Sequence, residues 1–118
     1  KAWLDQVIRV GKTFSFDLAR GDTPLEPTLS GKRLVTLTAA GEFGFEAGGV
    51  RASMNHLQPH IHTLSKYLGV SHTWNVSIEY QEFGDERFQE SKNHAIRAIE
   101  PVVDELIHSF EPTASKVN

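Results

Sequence analysis

The sequence predicts an α/β fold with the order helix, buried strand, helix, edge strand, helix. Residues 34–38, LVTLT, form a short uncharged run that is typical of a parallel strand buried on both faces. Residues 72–80, HTWNVSIEY, alternate apolar and polar side chains, which indicates a half-exposed strand at a sheet edge. Between these strands, apolar residues recur at helical spacing: Leu57, Ile61, Leu64 and Leu68.

The buried strand leads into a loop of small residues, 39–44, with the sequence AAGEFG. Small residues let a backbone turn sharply or come close to a ligand. Open α/β sheets bind ligands outside the carboxyl ends of their strands, so this loop is a candidate binding site. A plain connection from strand to helix is the alternative. Glu42, the one charge in the loop, is interpreted as a solvated residue in preference to a polar contact with a ligand.

The chain before the buried strand is predicted to begin with a helix over residues 1–10, which Gly11 ends. Residues 13–17, TFSFD, alternate and place their two phenylalanines on one side if extended. Residues 18–31 are rich in turn-forming residues and are interpreted as an excursion without a core of its own. Phe16 is either the wall of a pocket or a side chain that anchors this excursion.

A glycine-containing loop, residues 45–53, is predicted to be flexible and to serve as a lid or a wall of a site. Pro59 is expected in the first turn of the helix that follows, because an interior proline would remove a hydrogen bond and clash with the preceding turn. Gly69 is expected to end that helix.

The last and longest helix is predicted to open at Asp85 and to run to about Phe110. Pro101 falls inside it and should kink it near Arg97, whose carbonyl loses its partner. The tail, residues 111–118, is polar and is expected to fray. Five apolar residues are expected to mark the buried face of the helix: Ile96, Ile99, Val103, Leu106 and Phe110.

Composition and charge exclude several classes of function. The formal net charge is −3, whereas a nucleic-acid binder needs a basic face, so no nucleic-acid partner is expected. Cysteine is absent, which excludes disulfides and thiolate chemistry and fits a cytoplasmic protein. No apolar run approaches the roughly 20 residues of a membrane span, and no signal peptide is visible. The start at Lys1, inside a predicted helix, leads us to expect a missing upstream segment.

No catalytic constellation is recognisable in the sequence. His56 and His60 have the spacing of a metal-binding pair on a helix. No HExxH pattern surrounds them, and surface or partly buried histidines are the preferred interpretation. We therefore assign no metal site and no catalytic residue. If the protein is an enzyme, a cofactor is expected to carry the chemistry, with the protein supplying shape and backbone amides.

Three segments resemble the flavodoxin-like NAD(P)H:quinone reductases and FMN-dependent NADH azoreductases. Residues 1–14, KAWLDQVIRVGKTF, resemble the family segment LKAWIDRV-RPGFTF. Residues 31–44, GKRLVTLTAAGEFG, are similar to the family strand and loop GKKALVVTTSGG. Residues 57–70, ending in KYLGV, resemble the family helix YL-FLGF. The resemblance extends from Lys1 to about Phe110.

The resemblance implies a three-layer flavodoxin-like fold with a parallel sheet of strand order 2-1-3-4-5. Residues 1–118 would then be the C-terminal part of a single such domain, whose N-terminal half is absent from this sequence. It also implies FMN as cofactor and NAD(P)H as electron donor, with ping-pong hydride transfer to a quinone or azo compound. The acceptor would thus be a small aromatic molecule, and the active sites would lie at a homodimer interface.

The resemblance also implies particular site residues. Phe16 falls where an aromatic residue lines the substrate side, and Tyr67 falls where one reaches the partner subunit's site. The family's phosphate-binding loop and its P-MYNF segment would lie upstream of Lys1. The family loop that wraps the isoalloxazine ring corresponds to Thr38, Ala39, Ala40, Gly41, Glu42 and Phe43. Two of these, Ala39 and Ala40, replace the more usual Ser/Thr and Gly/Arg, so backbone amides must serve there.

The preferred hypothesis is therefore an FMN-dependent oxidoreductase, of which residues 1–118 alone would be inactive. The alternative is a flavin-free regulatory or interaction protein that keeps the fold without turnover, for which the changed loop leaves room. Flavin colour in the purified full-length protein distinguishes the two hypotheses.

Overall fold

The structure of the chain, a computed structural model, describes residues 1–112. Within them the elements are α1 (Ala2–Val7), β1 (Phe14–Phe16), β2 (Leu25–Pro27), β3 (Lys32–Ala39), α2 (Leu57–Ser65), β4 (Val70–Ile78) and α3 (Glu86–His108). Short 3₁₀ helices cover Leu18–Arg20, Ala52–Met54 and Lys66–Leu68. Strands β3 and β4 pair in parallel, which confirms the α/β prediction. The predicted fraying of the tail falls mainly on residues outside those described.

The chain divides into two units, residues 1–36 with 43–73, and residues 37–42 with residue 74 onward. In the first unit, helix α1 ends at Val7, three residues before the predicted end. A closed turn competes with the helix, because the amides of Lys12 and Thr13 both donate to the carbonyl of Arg9. The Thr13 hydroxyl in turn accepts the Arg9 amide at 3.1 Å.

The interpretation of residues 18–31 as an excursion misses strand β2. This strand pairs antiparallel with β1, with Phe16 opposite Leu25. Arg20 braces the connection, since its guanidinium donates to the Pro24 carbonyl and to the Ser15 hydroxyl, both at 2.9 Å. Local side-chain bonds thus give structure to a segment whose composition predicts none.

Gly69 ends the helical segment of the first unit, as predicted, with a left-handed φ of 72°. A β-carbon on Gly69 would overlap the carbonyl oxygen of Leu29, so the two backbones touch at this point. The Gly69 carbonyl accepts the amide of Lys32 at 3.1 Å, at the start of β3. Pro59 is the third residue of α2 and therefore lies in its first turn, which confirms that prediction.

In the second unit, Trp74, Val76 and Ile78 of β4 are less exposed than the polar residues between them, as the alternation predicts. Strand β3 departs from its prediction, because Leu37 is 75% exposed. The expected burial of β3 on both faces is therefore not complete. Within the described residues β3 also pairs only with β4.

Helix α3 opens at Asp85, whose side chain accepts the amide of Arg87 and caps the helix. The predicted buried face is wrong for four of its five residues, because Ile96, Ile99, Val103 and Phe110 are all exposed; the fifth, Leu106, is half-buried. The less exposed side of the helix is instead formed by Phe88, Ser91, Ala95, Ala98, Val102, Leu106 and Ser109. Small residues allow close approach there: the Ser91 hydroxyl accepts the amide of Glu79 at 2.9 Å. Pro101 lies inside the helix, as predicted.

Candidate functional site: the loop after strand β3

The first part of the candidate loop continues the pairing of β3 with β4. The amide of Ala40 donates to the carbonyl of Ile78 at 2.9 Å, one residue beyond the end of β3. Two residues earlier, the Thr38 hydroxyl donates to the side-chain oxygen of Asn75 at 3.4 Å. Thr38 and Ala39 are thus the last residues of a strand, and the loop starts at its carboxyl end. This is the end at which open α/β sheets bind ligands.

The loop itself is held by backbone bonds from residues 80–82, which follow β4. The amide of Gln81 donates to the Ala40 carbonyl at 3.1 Å, and the amide of Glu82 donates to the Gly41 carbonyl at 3.2 Å. The amide of Tyr80 donates to the Glu42 carbonyl at 3.0 Å. Three successive carbonyl groups are therefore engaged, and residues 40–42 keep their shape without side-chain bonds from Ala40 or Gly41.

Gly41 provides space for a neighbouring side chain. A β-carbon on Gly41 would lie 2.7 Å from the carboxyl carbon of Glu82. The φ of Gly41 is outside the left-handed region, so the backbone there suits any residue. Glu82 is exposed and flexible, and the fold can accommodate its displacement. Gly41 therefore matters for what can approach the loop, and much less for folding.

Phe43 belongs to the first unit, where it is held by Arg51. The Arg51 guanidinium donates to the Phe43 carbonyl at 3.1 Å and lies over the Phe43 ring, 4.5 Å from its centre. The amide of Arg51 donates to the Gly44 carbonyl at 2.7 Å, which closes the glycine-containing loop. Asn55 completes the anchoring by donating to the Phe45 carbonyl at 3.0 Å. The segment predicted to be flexible is thus a hydrogen-bonded loop.

The two predicted substrate-side aromatics also lie in the first unit. Phe16 is 53% exposed at the end of β1. Tyr67 is half-buried in the 3₁₀ helix Lys66–Leu68, and its ring meets the edge of Phe14 at 5.3 Å between centres, with the planes at 62°. Tyr67 therefore packs within its own chain, next to the strand that carries Phe16.

A cluster that the sequence reading missed lies just beyond β4. Tyr80 has a φ of 63°, the one left-handed non-glycine residue among those described. The Arg87 guanidinium lies over the rings of Phe83, at 4.5 Å, and Tyr80, at 5.5 Å. It also pairs with the Asp85 carboxylate at 2.6 Å. The Arg87 hydrogen bond holds the pKa of Asp85 below its ordinary value. In the sequence, this cluster could have been recognised from two aromatic residues, Tyr80 and Phe83, followed by the pattern Gly-Asp-x-Arg at residues 84–87.

No metal centre is assembled by residues 1–112, where no three His, Asp or Glu side chains converge on one point. His56 precedes α2 and His60 lies within it, and both are exposed. None of the helices in this part of the chain is long and apolar enough to cross a membrane.

The fold agrees with what comparison with known proteins shows. Residues 1–102 match a family described as having a flavodoxin-like fold, and the chain belongs to this family. The identification confirms the resemblance read from the sequence.

Two bacterial relatives are particularly similar over this length. The chain is 55% identical over 107 residues to "FMN-dependent NADH:quinone oxidoreductase 2" of Colwellia psychrerythraea, covering 91% of the chain and 49% of the relative. It is 57% identical over 106 residues to the protein of the same name from Idiomarina loihiensis, covering 90% and 44%. A Pseudomonas aeruginosa protein, "FMN-dependent NAD(P)H:quinone oxidoreductase 1", is 38% identical over 95 residues, covering 80% and 45%. The chain spans about half the length of the curated relatives it matches.

Proposed function

We propose that this chain is the C-terminal part of a single flavodoxin-like domain in an FMN-dependent NAD(P)H:quinone oxidoreductase. The observation that carries the proposal is the 55–57% identity to two relatives with that activity in their names. The names also favour an enzyme over the flavin-free alternative. Azo compounds are proposed as further acceptors, since they share the planar aromatic character of quinones.

The loop after β3 suits a flat, polar ring system such as the isoalloxazine of FMN. Its side chains from Ala39 to Gly41 are small, so the backbone can lie close to a ring. Its shape is fixed by the bonds from residues 80–82 before any ligand arrives, which reduces the ordering that binding requires. We assign Thr38, Ala39, Ala40, Gly41, Glu42 and Phe43 to the cofactor side of the site.

When bound, FMN supplies the hydride transfer, taking a hydride from NAD(P)H and passing it to the acceptor. The residues of this chain bind and orient. The backbone of residues 40–42 would contact the flavin ring. Separately, Arg51 holds the Phe43 ring in one position by stacking on it. Phe16 is assigned to the acceptor side, where its exposed ring can stack on an aromatic molecule.

The assembled protein is proposed to be a homodimer in the cytoplasm, in which Tyr67 approaches the partner subunit's site. Light scattering of the full-length protein at micromolar concentration checks the dimer. A monomer at that concentration would remove the basis for a shared active site.

Flavin content tests the enzymatic proposal directly. We expect the purified full-length protein to be yellow, to release FMN on denaturation, and to lose its flavin absorption when NADH is added without oxygen. Subsequent addition of benzoquinone should restore the absorption. A colourless protein that fails to take up added FMN would instead support the flavin-free alternative.

A further inference from the structure

Residues 80–82 fix the candidate cofactor loop, and Tyr80 does so from a strained conformation. Its amide donates to the Glu42 carbonyl at 3.0 Å, and its φ of 63°, a value that L residues rarely adopt, turns the chain so that the amides of Gln81 and Glu82 follow along the same loop. A strained residue persists only when its surroundings hold it. Tyr80 must therefore be held in this conformation by neighbouring residues.

The contacts come from Phe83, in the turn before α3, and from Asp85 and Arg87 at the N-terminal end of that helix. The Tyr80 and Phe83 rings meet edge to face at 5.7 Å, and the amide of Phe83 closes a turn on the Tyr80 carbonyl at 3.0 Å. The Arg87 guanidinium then lies over both rings. Asp85 fixes the guanidinium with two bonds, from Nε at 3.0 Å and from Nη2 at 2.6 Å. The planar cation cannot rotate away without breaking both bonds.

We propose that Arg87 is a positioning residue for the loop of residues 40–42. It acts through Tyr80: the guanidinium clamps the Tyr80 and Phe83 rings, the clamp holds the left-handed turn, and the turn presents three amides to the loop carbonyls. Arg87 thereby links helix α3 to the candidate cofactor loop, beside the bond between Ser91 and the Glu79 amide. The expected effect on FMN affinity rests on the proposed function. The positioning of the loop by Arg87 does not depend on it.

Amide hydrogen exchange in the flavin-free full-length protein tests the positioning. In Arg87→Ala the amides of Gln81 and Glu82 should exchange about tenfold faster or more, because the turn opens more often. Arg97→Ala is the matched control, an exposed arginine on the same helix. Arg87→Lys keeps the charge but lacks a planar group to stack, and it should behave like Arg87→Ala. The lysine variant carries the test if the alanine variant does not fold.

The affinity for FMN, measured by quenching of flavin fluorescence, is the second readout. Faster exchange with a dissociation constant raised about tenfold supports the inference together with the proposed function. Faster exchange with unchanged FMN affinity supports the role of Arg87 and overturns the assignment of the loop to the cofactor. Exchange that is equal in Arg87→Ala, Arg87→Lys and the Arg97→Ala control overturns the inference, whatever the FMN affinity.

Discussion

The indole nitrogen of Trp74 donates a hydrogen bond of 2.8 Å to the carboxylate of Glu105, which links strand β4 to helix α3. Trp74→Phe removes the donor and keeps an aromatic ring, so the full-length protein should lose about 1 kcal/mol of unfolding free energy. Denaturant unfolding measures this loss. Combined with Glu105→Ala, the two losses should not add, because both variants break one bond. Additive losses would show that the bond contributes nothing to stability.

The second prediction concerns cofactor affinity and follows from the close approach of the Glu82 side chain to Gly41. Gly41→Val in the full-length protein should weaken FMN binding at least about tenfold and leave the fold intact, because the added carbons fill space beside the loop. An FMN titration with circular dichroism as the control for folding measures both effects.

The double variant Gly41→Val with Glu82→Ala separates two causes of this loss. If FMN binding recovers, displacement of the Glu82 side chain was responsible. If it does not recover, the valine itself blocks the approach of the flavin. Unchanged FMN affinity in Gly41→Val alone would count against the loop as the cofactor site.

The third prediction concerns pH and His108, in the last turn of α3. The pKa of His108 is raised above its ordinary 6.5, first by its bond to the Asp104 carbonyl at 2.7 Å and then by the charge of Glu111. Because the folded pKa exceeds the unfolded one, the charged form contributes stability that is fully present below pH 6.5. This contribution disappears as the pH rises through the folded pKa.

Two measurements check this pH dependence. An NMR titration of the His108 ring should give a pKa above 6.5, and a value at or below it contradicts the prediction. In unfolding experiments at about pH 6 and about pH 8, His108→Ala should destabilise the protein more at the lower pH. His94→Ala, on the same helix, is the matched variant.

The fourth prediction is that a polypeptide of residues 1–118 alone does not melt cooperatively as a monomer. Among the described residues the buried apolar side chains are Val76 and Ala95, which is little burial to offset the entropy of folding. One edge of β3 pairs with β4, and within residues 1–112 no strand pairs with its other edge; on its face, Leu37 is also exposed. We expect a broad, shallow thermal transition and concentration-dependent association. A sharp melt of a monomer, established by ultracentrifugation, would show this prediction wrong.

The parts of the fold that local chemistry decides could be predicted from the sequence. Asp85 caps a helix, Pro59 lies in a first turn and Gly69 ends a helical segment because each depends on residues within one turn. Strand β2 was missed because its pairing depends on Arg20, whose bonds to Ser15 and Pro24 leave no periodic pattern.

The buried face of α3 could not be predicted because the helix carries two apolar stripes. Ile96 and Ile99 are larger than Ala95 and Ala98, so hydrophobicity alone selects the wrong stripe. The structure selects the small one, since small residues let the helix approach the backbone at Glu79. The buried stripe is thus decided by the shapes of the packed surfaces, which cannot be predicted from the hydrophobicity of the residues alone.

The position of the candidate loop was predicted, but what holds it was not. The run from Thr38 to Phe43 is recognisable because it follows an apolar strand. Its attachment to Tyr80 joins residues about forty positions apart through backbone bonds, which are indifferent to side-chain identity. The left-handed φ of Tyr80 has no sequence signature, because it belongs to a tyrosine in place of a glycine or asparagine.

The contact between Gly69 and Leu29 restricts what this position can become. A left-handed φ excludes most side chains on conformational grounds, and asparagine is the usual exception. The Leu29 carbonyl removes that exception, because it occupies the place of any β-carbon. Two independent constraints therefore act on position 69, the left-handed φ and the contact with Leu29. Removing one of them would leave the other in place. In a saturation library at position 69 selected for folded protein, we expect glycine alone to survive.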